Sequence, residues 1–398
     1  MADRTDQSDR SDQTDQPGEW FTMAESDITH VGGDDTASRG GALEAQCRAA
    51  GVDPAGVLDF STNVNPLGPP QCLERVMSHA VILAGAYPDP ECAEARAALG
   101  KAWGVSPRSI LLGNGSTGLL HTIMRTFRCD ETLILGPASR EYARAAELAG
   151  SRVELRIAQP GRLFRHDLAA MGDIRRFHLV VIGNPNDPTG RFTRPTEIIE
   201  WAAENPETFF LVDESHMDFL DRPGASLMGI ACPAAGATAG NVGNVVVLKS
   251  FSMFFAVPGL RLGAVWAAPD VIDVLDSRRE RWSVNAFAQK MAAMLYDEQG
   301  YIAATRILVV QERSFLIRGL TELGFRVFDS AANFLLLKIE RRNLTSAVLK
   351  EQMLKNGVLV RDCSDFDGLG GQFIRVGVRR HDENERLLEA MEKTLDRN

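Results

Sequence analysis

Four short stretches carry residue types whose spacing suits chemistry on an anionic ligand. In SILLGNGSTGLLHTIMRTF, residues 109–127, an apolar strand runs into a glycine-rich turn and then a helix. Gly113 and Gly115 permit tight turns there. Ser116, Thr117 and Gly118 would set N–H groups at a helix start, where the dipole favours a phosphate. Ser and Thr also begin helices as plain caps, so this stretch alone leaves the anion site open. In VVIGNPNDPTGRF, 180–192, a strand ends in a Pro- and Asn-rich turn, where open α/β sheets bind their ligands. In FFLVDESHMDFL, 209–220, Asp213 and Glu214 close an apolar strand, so that at least one carboxylate points into the same crevice or else caps the next turn. In VVVLKSFSMFFAVPGLRLG, 245–263, Ser250, Ser252 and Arg261 could all reach one phosphate. Met253 stands in the middle of that last loop.

These groups meet only if several strands end at one edge of a sheet. Short β-rich runs do alternate with amphipathic stretches: TLILG at 132–136, HLVVIG at 178–183, TFFLVDE at 208–214 and NVVVLKS at 244–250. Between them lie helical patterns such as REYARAAELAG and PTEIIEWAAEN. Continuous apolar runs of this length predict strands covered on both faces, hence a mainly parallel sheet in an α/β domain. After about residue 285 long helices take over, followed by ANFLLLKI, GVLVRDC and FIRVGVR. That pattern predicts a smaller α+β domain.

A chain of 398 residues, 44% hydrophobic, can bury a large core in two domains. No apolar run approaches the roughly 20 residues of a membrane helix. The opening MADRTDQSDRSDQTDQ lacks the basic start and apolar segment of a signal peptide, so a cytoplasmic protein with no membrane partner is expected. Cys47, Cys72, Cys92, Cys129, Cys232 and Cys363 are scattered without a CxxC pair, which predicts reduced thiols and no metal cluster. The net charge of −10 sits mostly in the tail: residues 1–36 hold ten acidic and two basic side chains. The remainder, near −2, shows no nucleic-acid footprint. Residues 1–26 have almost nothing to bury and read as disordered, either a solubilising tail or a partner-binding segment.

Taken in this order and spacing, the four stretches resemble the fold-type I pyridoxal-phosphate (PLP) enzymes, in the branch of histidinol-phosphate aminotransferase and threonine-phosphate decarboxylase. LDFSTNVNPLGPP at 58–70, AYPDPECAEAR at 86–96, GVLVRDCSDFDGLGGQFIRVGVR at 357–379 and HVGGD at 30–34 are similar to the decarboxylase in particular. The resemblance runs from about residue 30 to the C-terminus. It implies the PLP-dependent transferase fold. The acidic tail at 1–26 would be followed by an N-terminal arm at 27–56 joining the small domain, a large PLP-type domain at 57–285 and a small C-terminal domain at 286–398.

The resemblance also implies roles. Asp213 would pair with the pyridine nitrogen of PLP, so that the ring acts as an electron sink. Gly115, Ser116 and Thr117, with Ser250, Ser252 and Arg261, would hold the cofactor phosphate, and Asn186 would belong to the same cofactor site. Tyr87 matches a tyrosine that reaches that phosphate from a partner subunit, which implies a homodimer. Arg375 matches the arginine that grips a substrate α-carboxylate with its planar fork. Arg361, His30 and Asn65 fall where the decarboxylase branch contacts its substrate, including a second phosphate.

The departures from the family pattern cluster at one end of the cofactor. The pattern S-x-[ST]-K-x-[FY]-x-x-x-G-x-R has its Schiff-base lysine at the position of Met253. A thioether forms no imine and moves no proton. Lys249, four residues earlier on the strand, is not expected to replace it. The family's NPNNPTG reads NPNDPTG here, which sets Asp187 where an asparagine donates to the phenolic oxygen of the ring. DEAY or DEAF reads DESH, which sets His216 beside the same oxygen. The aromatic residue that stacks on the ring becomes Ser139, a loss of about 1 kcal/mol of stacking on the scale of aromatic pairs.

Three readings stay open. In the first, an enzyme holds PLP noncovalently and His216, oriented by Asp187, serves as acid or base. In the second, an enzyme uses the pocket for a phosphorylated or amino-acid-like ligand without PLP. The third is a catalytically silent binding or regulatory homologue. A specialised biosynthetic enzyme descended from the decarboxylase is the foremost expectation, its ancestral reaction being PLP-assisted loss of the α-carboxylate from a phospho-amino acid such as O-phospho-L-threonine.

Overall fold

The computed structural model describes residues 42–127, 129–228 and 243–396. The tail expected at 1–26, and His30, lie outside the described residues. After a helix at Ala42–Ala50 comes the two-residue strand β1 (Leu58–Asp59). Seven strands then build the large sheet: β2 (Ile110–Asn114), β3 (Glu131–Gly136), β4 (Arg152–Ile157), β5 (Leu179–Gly183), β6 (Phe209–Asp213), β7 (Val245–Ser250) and β8 (Leu262–Trp266). Their spatial order is β2-β8-β7-β6-β5-β3-β4. Only β8 runs against its neighbours, so the sheet is mixed but mainly parallel, as the apolar runs predicted.

The apolar runs are continuous because each face of the sheet has its own cover. Val245 and Val247 enter one core with Phe210, Val212, Val180 and Ile182. Val246 and Leu248 enter the other with Leu211, Leu179 and Val181. Side chains alternate faces along a strand, so every position must be apolar when both faces are covered. Helices Gly115–Phe127 and Arg140–Leu148 cover the second face, contributing Leu119, Ile123, Tyr142 and Ala145. Helix Ala286–Met294 packs into the first core through Ala288 and Met291.

A second, antiparallel sheet contains β9 (Arg326–Val327), β10 (Phe334–Lys338), β12 (Arg361–Asp362) and β13 (Phe373–Gly377), in the order β12-β13-β10-β9. Its core includes Leu335, Leu337, Ile374 and Val376, packed on the helices Gln299–Glu322 and His381–Leu395. Strand β1 pairs in parallel with β11 (Val358–Leu359), tying the start of the described chain to this part of the molecule. Among the described residues no helix is long and apolar enough to cross a membrane. The five described cysteines are free and buried.

Candidate functional site

The carboxyl ends of β5, β6 and β7 open into one pocket, closed from the other side by β12 and β13 of the small sheet. One wall is a phosphate-sized cradle. The helix Gly115–Phe127 starts directly after β2, and Ser116 and Thr117 of its first turn line the pocket together with Ser250 of β7. Gly115 must be glycine: its φ is +74°, and a Cβ there would stand 2.5 Å from Arg261 Nη2. That approach puts the Arg261 guanidinium behind the helix start, where Nη1 also donates to the Pro258 carbonyl (3.2 Å). Free N–H groups, a helix dipole and two or three hydroxyls together suit a phosphate monoester.

Asp213 ends β6 on the same face. Tyr142 Oη donates to its Oδ2 (2.7 Å), and the Ser215 backbone N–H donates to its Oδ1 (2.9 Å), as does the Ser215 hydroxyl. Neutral donors thus hold an acceptor-only carboxylate in a fixed rotamer facing the pocket. The next residue, Glu214, turns to the opposite side and is wholly buried, accepting from Ser226 Oγ (2.6 Å) and Leu227 N (2.8 Å). Burial pushes its pKa up to about 7.

The loop after β7 explains where Met253 points. Phe251, Phe254 and Phe255 are fully buried and pack against Trp103, Tyr296 and Tyr301. With the three phenylalanines anchored in the core, Met253 is left at the pocket wall. Its carbonyl accepts from Asn65 N (2.9 Å). Lys249 shares the strand face of Val245 and Val247, away from the pocket. It is 2% exposed, its Nζ lies 3.1 Å from Asp218 Oδ1, and it sits over the Trp103 ring. Among the described residues, no lysine lines the pocket.

The far wall is made of arginines and carboxylates. Arg375 of β13 is 5% exposed, ion-pairs through Nη1 with Asp187 Oδ1, and donates from Nη2 to the Ser61 carbonyl (2.9 Å). Burial works to lower its pKa, but the groups around it, Asp187 foremost with Cys363 and Asp365, together hold the guanidinium above its ordinary value. Arg361 of β12 pairs with Asp365 (2.6 Å) four residues on, and donates to the Asp362 carbonyl (2.6 Å). His216, 8% exposed, is set edge-on to Phe334 and roughly parallel to Phe219, with Nε2 3.5 Å from Asn63 Nδ2.

The pocket therefore brings together Ser116, Thr117, Asp187, Asp213, His216, Ser250, Met253, Arg361 and Arg375, along with Ser139. Other expected site residues lie elsewhere. Asn65 is buried in a structural knot, its Nδ2 within 2.8–2.9 Å of Phe254 O, Tyr301 Oη and Thr305 Oγ1. Asn186 is spent on holding its turn, donating to Pro137 O in the loop after β3 (2.8 Å) and to Thr189 Oγ1 of its own loop (2.8 Å). Ser252 is buried behind the pocket wall, its N–H donating to Ser250 Oγ (3.3 Å). Tyr87 is 87% exposed, tilted against Trp282 on the surface. Tyr142, Ser215 and Asp365 were not singled out from the sequence. Spacing offered a signal for two of them: Tyr142 lies one helical turn beyond Ser139, and Asp365 lies four residues beyond Arg361.

A model of the family aminotransferase class I and II matches residues 55–391. The chain is 33% identical over 344 residues to a histidinol-phosphate aminotransferase of Anaeromyxobacter sp., covering 85% of this chain and 91% of the relative. It is 28% identical over 365 residues to the threonine-phosphate decarboxylase of Salmonella typhimurium, covering 90% and 96%. Against an adenosylcobalamin biosynthesis bifunctional protein of Leptospira interrogans it is 29% identical over 358 residues, 88% of this chain but 40% of that protein's length. The solved histidinol-phosphate aminotransferase of Clostridium acetobutylicum superposes with a TM-score of 0.78 at 25% identity, covering 86% of this chain and all of that one. The L-threonine-O-3-phosphate decarboxylase of Porphyromonas gingivalis superposes with a TM-score of 0.76 at 27% identity, covering 85% and 100%. The fold is that of the PLP-dependent transferases, with a mixed seven-stranded central sheet and a smaller sheet beside it.

Proposed function

The chain belongs to the aminotransferase class I and II family, and from that premise we propose a diverged enzyme that acts on a phosphorylated, amino-acid-like small molecule and does not anchor PLP through a lysine. The observation that carries this reading is the pocket wall: Met253 and no lysine among the described lining residues, beside an intact anion cradle. Tested against PLP, the residues fit in part. Ser116, Thr117 and Ser250 suit its phosphate, and Asp213, oriented by Tyr142 and Ser215, suits a protonated ring nitrogen. Among the described lining residues no lysine offers a covalent attachment point. When bound, the cofactor supplies an electron sink.

The chain's own residues divide the remaining work. The helix start and its hydroxyls bind and orient the phosphate of the ligand or cofactor. The two phenylalanines beside His216 keep water from one side of it, and an imidazole is suited to move a proton near neutral pH in place of a lysine. A catalytically silent binding or regulatory homologue is the second reading, favoured by one observation: both pocket arginines already hold carboxylates of the chain. A homodimer is part of the proposal, supported by the exposed apolar side chains Val81, Ile82, Tyr87 and Trp282.

Calorimetric titration of the purified protein with PLP, with and without O-phospho-L-threonine, tests ligand binding. Borohydride treatment followed by intact mass then separates the modes of holding PLP. The wild type is expected to bind without a borohydride-stable adduct, and Met253→Lys to gain one. A stable adduct on the wild type would show that some lysine does attach the cofactor and overturn the reading.

A further inference from the structure

We propose that Arg140 is a specificity-determining residue of the pocket, the arginine that receives the carboxylate of a phosphorylated ligand in place of Arg375. This rests on the phosphorylated-ligand reading above and adds to it a residue that stands in none of the four stretches singled out from the sequence.

The two arginines of the small sheet are already answered by the chain. Arg375 ion-pairs with Asp187 and donates to the Ser61 carbonyl (2.9 Å), while Arg361 pairs with Asp365 (2.6 Å) and donates to the Asp362 carbonyl (2.6 Å). The turn that carries Asp187 is itself fastened. Asn186 N donates to Arg191 O (2.8 Å), Gly190 N to Asn186 O (2.7 Å), and Ala331 N to the Gly190 carbonyl (2.8 Å). An entering carboxylate would have to break a charge-assisted pair to reach either guanidinium.

Arg140 lines the same pocket and differs from them in this respect. It is the first residue of the helix Arg140–Leu148, which shares one face of the large sheet with the helix Gly115–Phe127. Its neighbours are all committed. Ser139 Oγ accepts from Glu141 N (3.4 Å) as the helix cap, Glu141 Oε1 lies 2.9 Å from His121 Nε2, and Tyr142 Oη donates to Asp213 Oδ2 (2.7 Å). Those bonds fix the helix start against the pocket. Arg140 itself is half-buried, and its guanidinium has no hydrogen bond or ion pair among the described residues.

A guanidinium carries donors in a planar fork and no acceptor, and withdrawing it from water unanswered is costly. A carboxylate matches that fork with two parallel hydrogen bonds. The cradle of Ser116, Thr117 and Ser250 already suits the phosphate of such a ligand, so the anion left for Arg140 is the carboxylate. The pocket thus offers a ligand one phosphate site made of hydroxyls and a helix start, and one carboxylate site made of Arg140.

Calorimetric titration of the full chain, without added PLP so that the cradle is open to the ligand, tests this with O-phospho-L-threonine and with its counterpart lacking the carboxylate. Arg140→Gln is expected to weaken O-phospho-L-threonine about tenfold or more, the scale of a lost charged hydrogen-bond partner, and to leave the counterpart as it was. Arg140→Lys keeps the charge without the fork, and its affinity for O-phospho-L-threonine should fall between those of the other two proteins. Thermal melts check the fold of both variants, which should match the wild type because no bond within the described residues is lost. A folded Arg140→Gln that binds O-phospho-L-threonine as tightly as the wild type, or that weakens both compounds alike, overturns the proposal and leaves the phosphorylated-ligand reading standing. Binding of neither compound to any of the proteins removes that reading and this proposal with it.

Discussion

Two pairs of a cation with a carboxylate lie near the carboxyl ends of the large sheet's strands, and they differ in what closes over them. Lys249 and Asp218 are sealed among Trp103, Tyr296 and the phenylalanines of the loop after β7. Arg375 and Asp187 face a pocket, with Asp187 partly open to solvent. The chemistry of the two pairs is alike. A sealed pair contributes only to the fold, because nothing can compete for either partner. An open pair is within reach of whatever enters the pocket. Removing one member should therefore be felt as stability in the first case and as selectivity in the second.

The largest effect expected is on the sealed pair. Lys249→Met leaves Asp218 buried without its cation, and a broken buried pair costs about 3–5 kcal/mol. Urea unfolding would show the loss, while ligand affinity of the folded protein should stay as it was. A loss of stability too small to measure would break the comparison, since Lys249 would then not be needed by its surroundings.

A smaller effect concerns Glu214, beside the sealed pair. Its carboxyl is raised from 4.5 to about 7 by burial, so the folded state holds a proton that the unfolded chain releases. Stability is then fully present below pH 4.5 and falls as pH rises toward 7, by about 2–3 kcal/mol through linkage. Melting temperatures across that window should decline for the wild type, and Glu214→Gln should flatten the slope. A wild-type slope of the opposite sign would show that Lys249 keeps Glu214 ionised.

The smallest effect lies on the pocket side. Tyr142→Phe removes one neutral donor from Asp213, worth about 1 kcal/mol. Thermal melts should register that loss, and a bound PLP should be held more weakly. A variant with unchanged affinity would leave Ser215 as the sufficient support of Asp213.

Much of this architecture could be read from the sequence because sheet burial leaves a strong mark. VVVLKS and FFLVD are apolar at successive positions only because each face of the strand meets a separate core. The reversal of β8 left no such mark, since LGAVW buries equally well in either direction. The cradle was legible because its parts are backbone and adjacent in the chain: Gly115, Ser116 and Thr117. The arginine wall was half legible. Arg375 and Arg361 stood out as residue types, but that Asp187 would answer Arg375, 188 positions away, is a fact of tertiary packing. Asn65 misled for the same reason. Its place in the chain neighbours pocket residues, yet its amide turns toward Tyr301 and Thr305 and spends its donors on the fold.

The bond from Ala331 to the Gly190 carbonyl has a mechanical consequence. The turn holding Asp187 grows out of the large sheet but is stitched to the chain just before β10 of the small one, and Arg375 rises from that same small sheet. The turn is bonded on the other side to Pro137, in the loop after β3, so the Asp187–Arg375 pair sits where the two sheets are laced together.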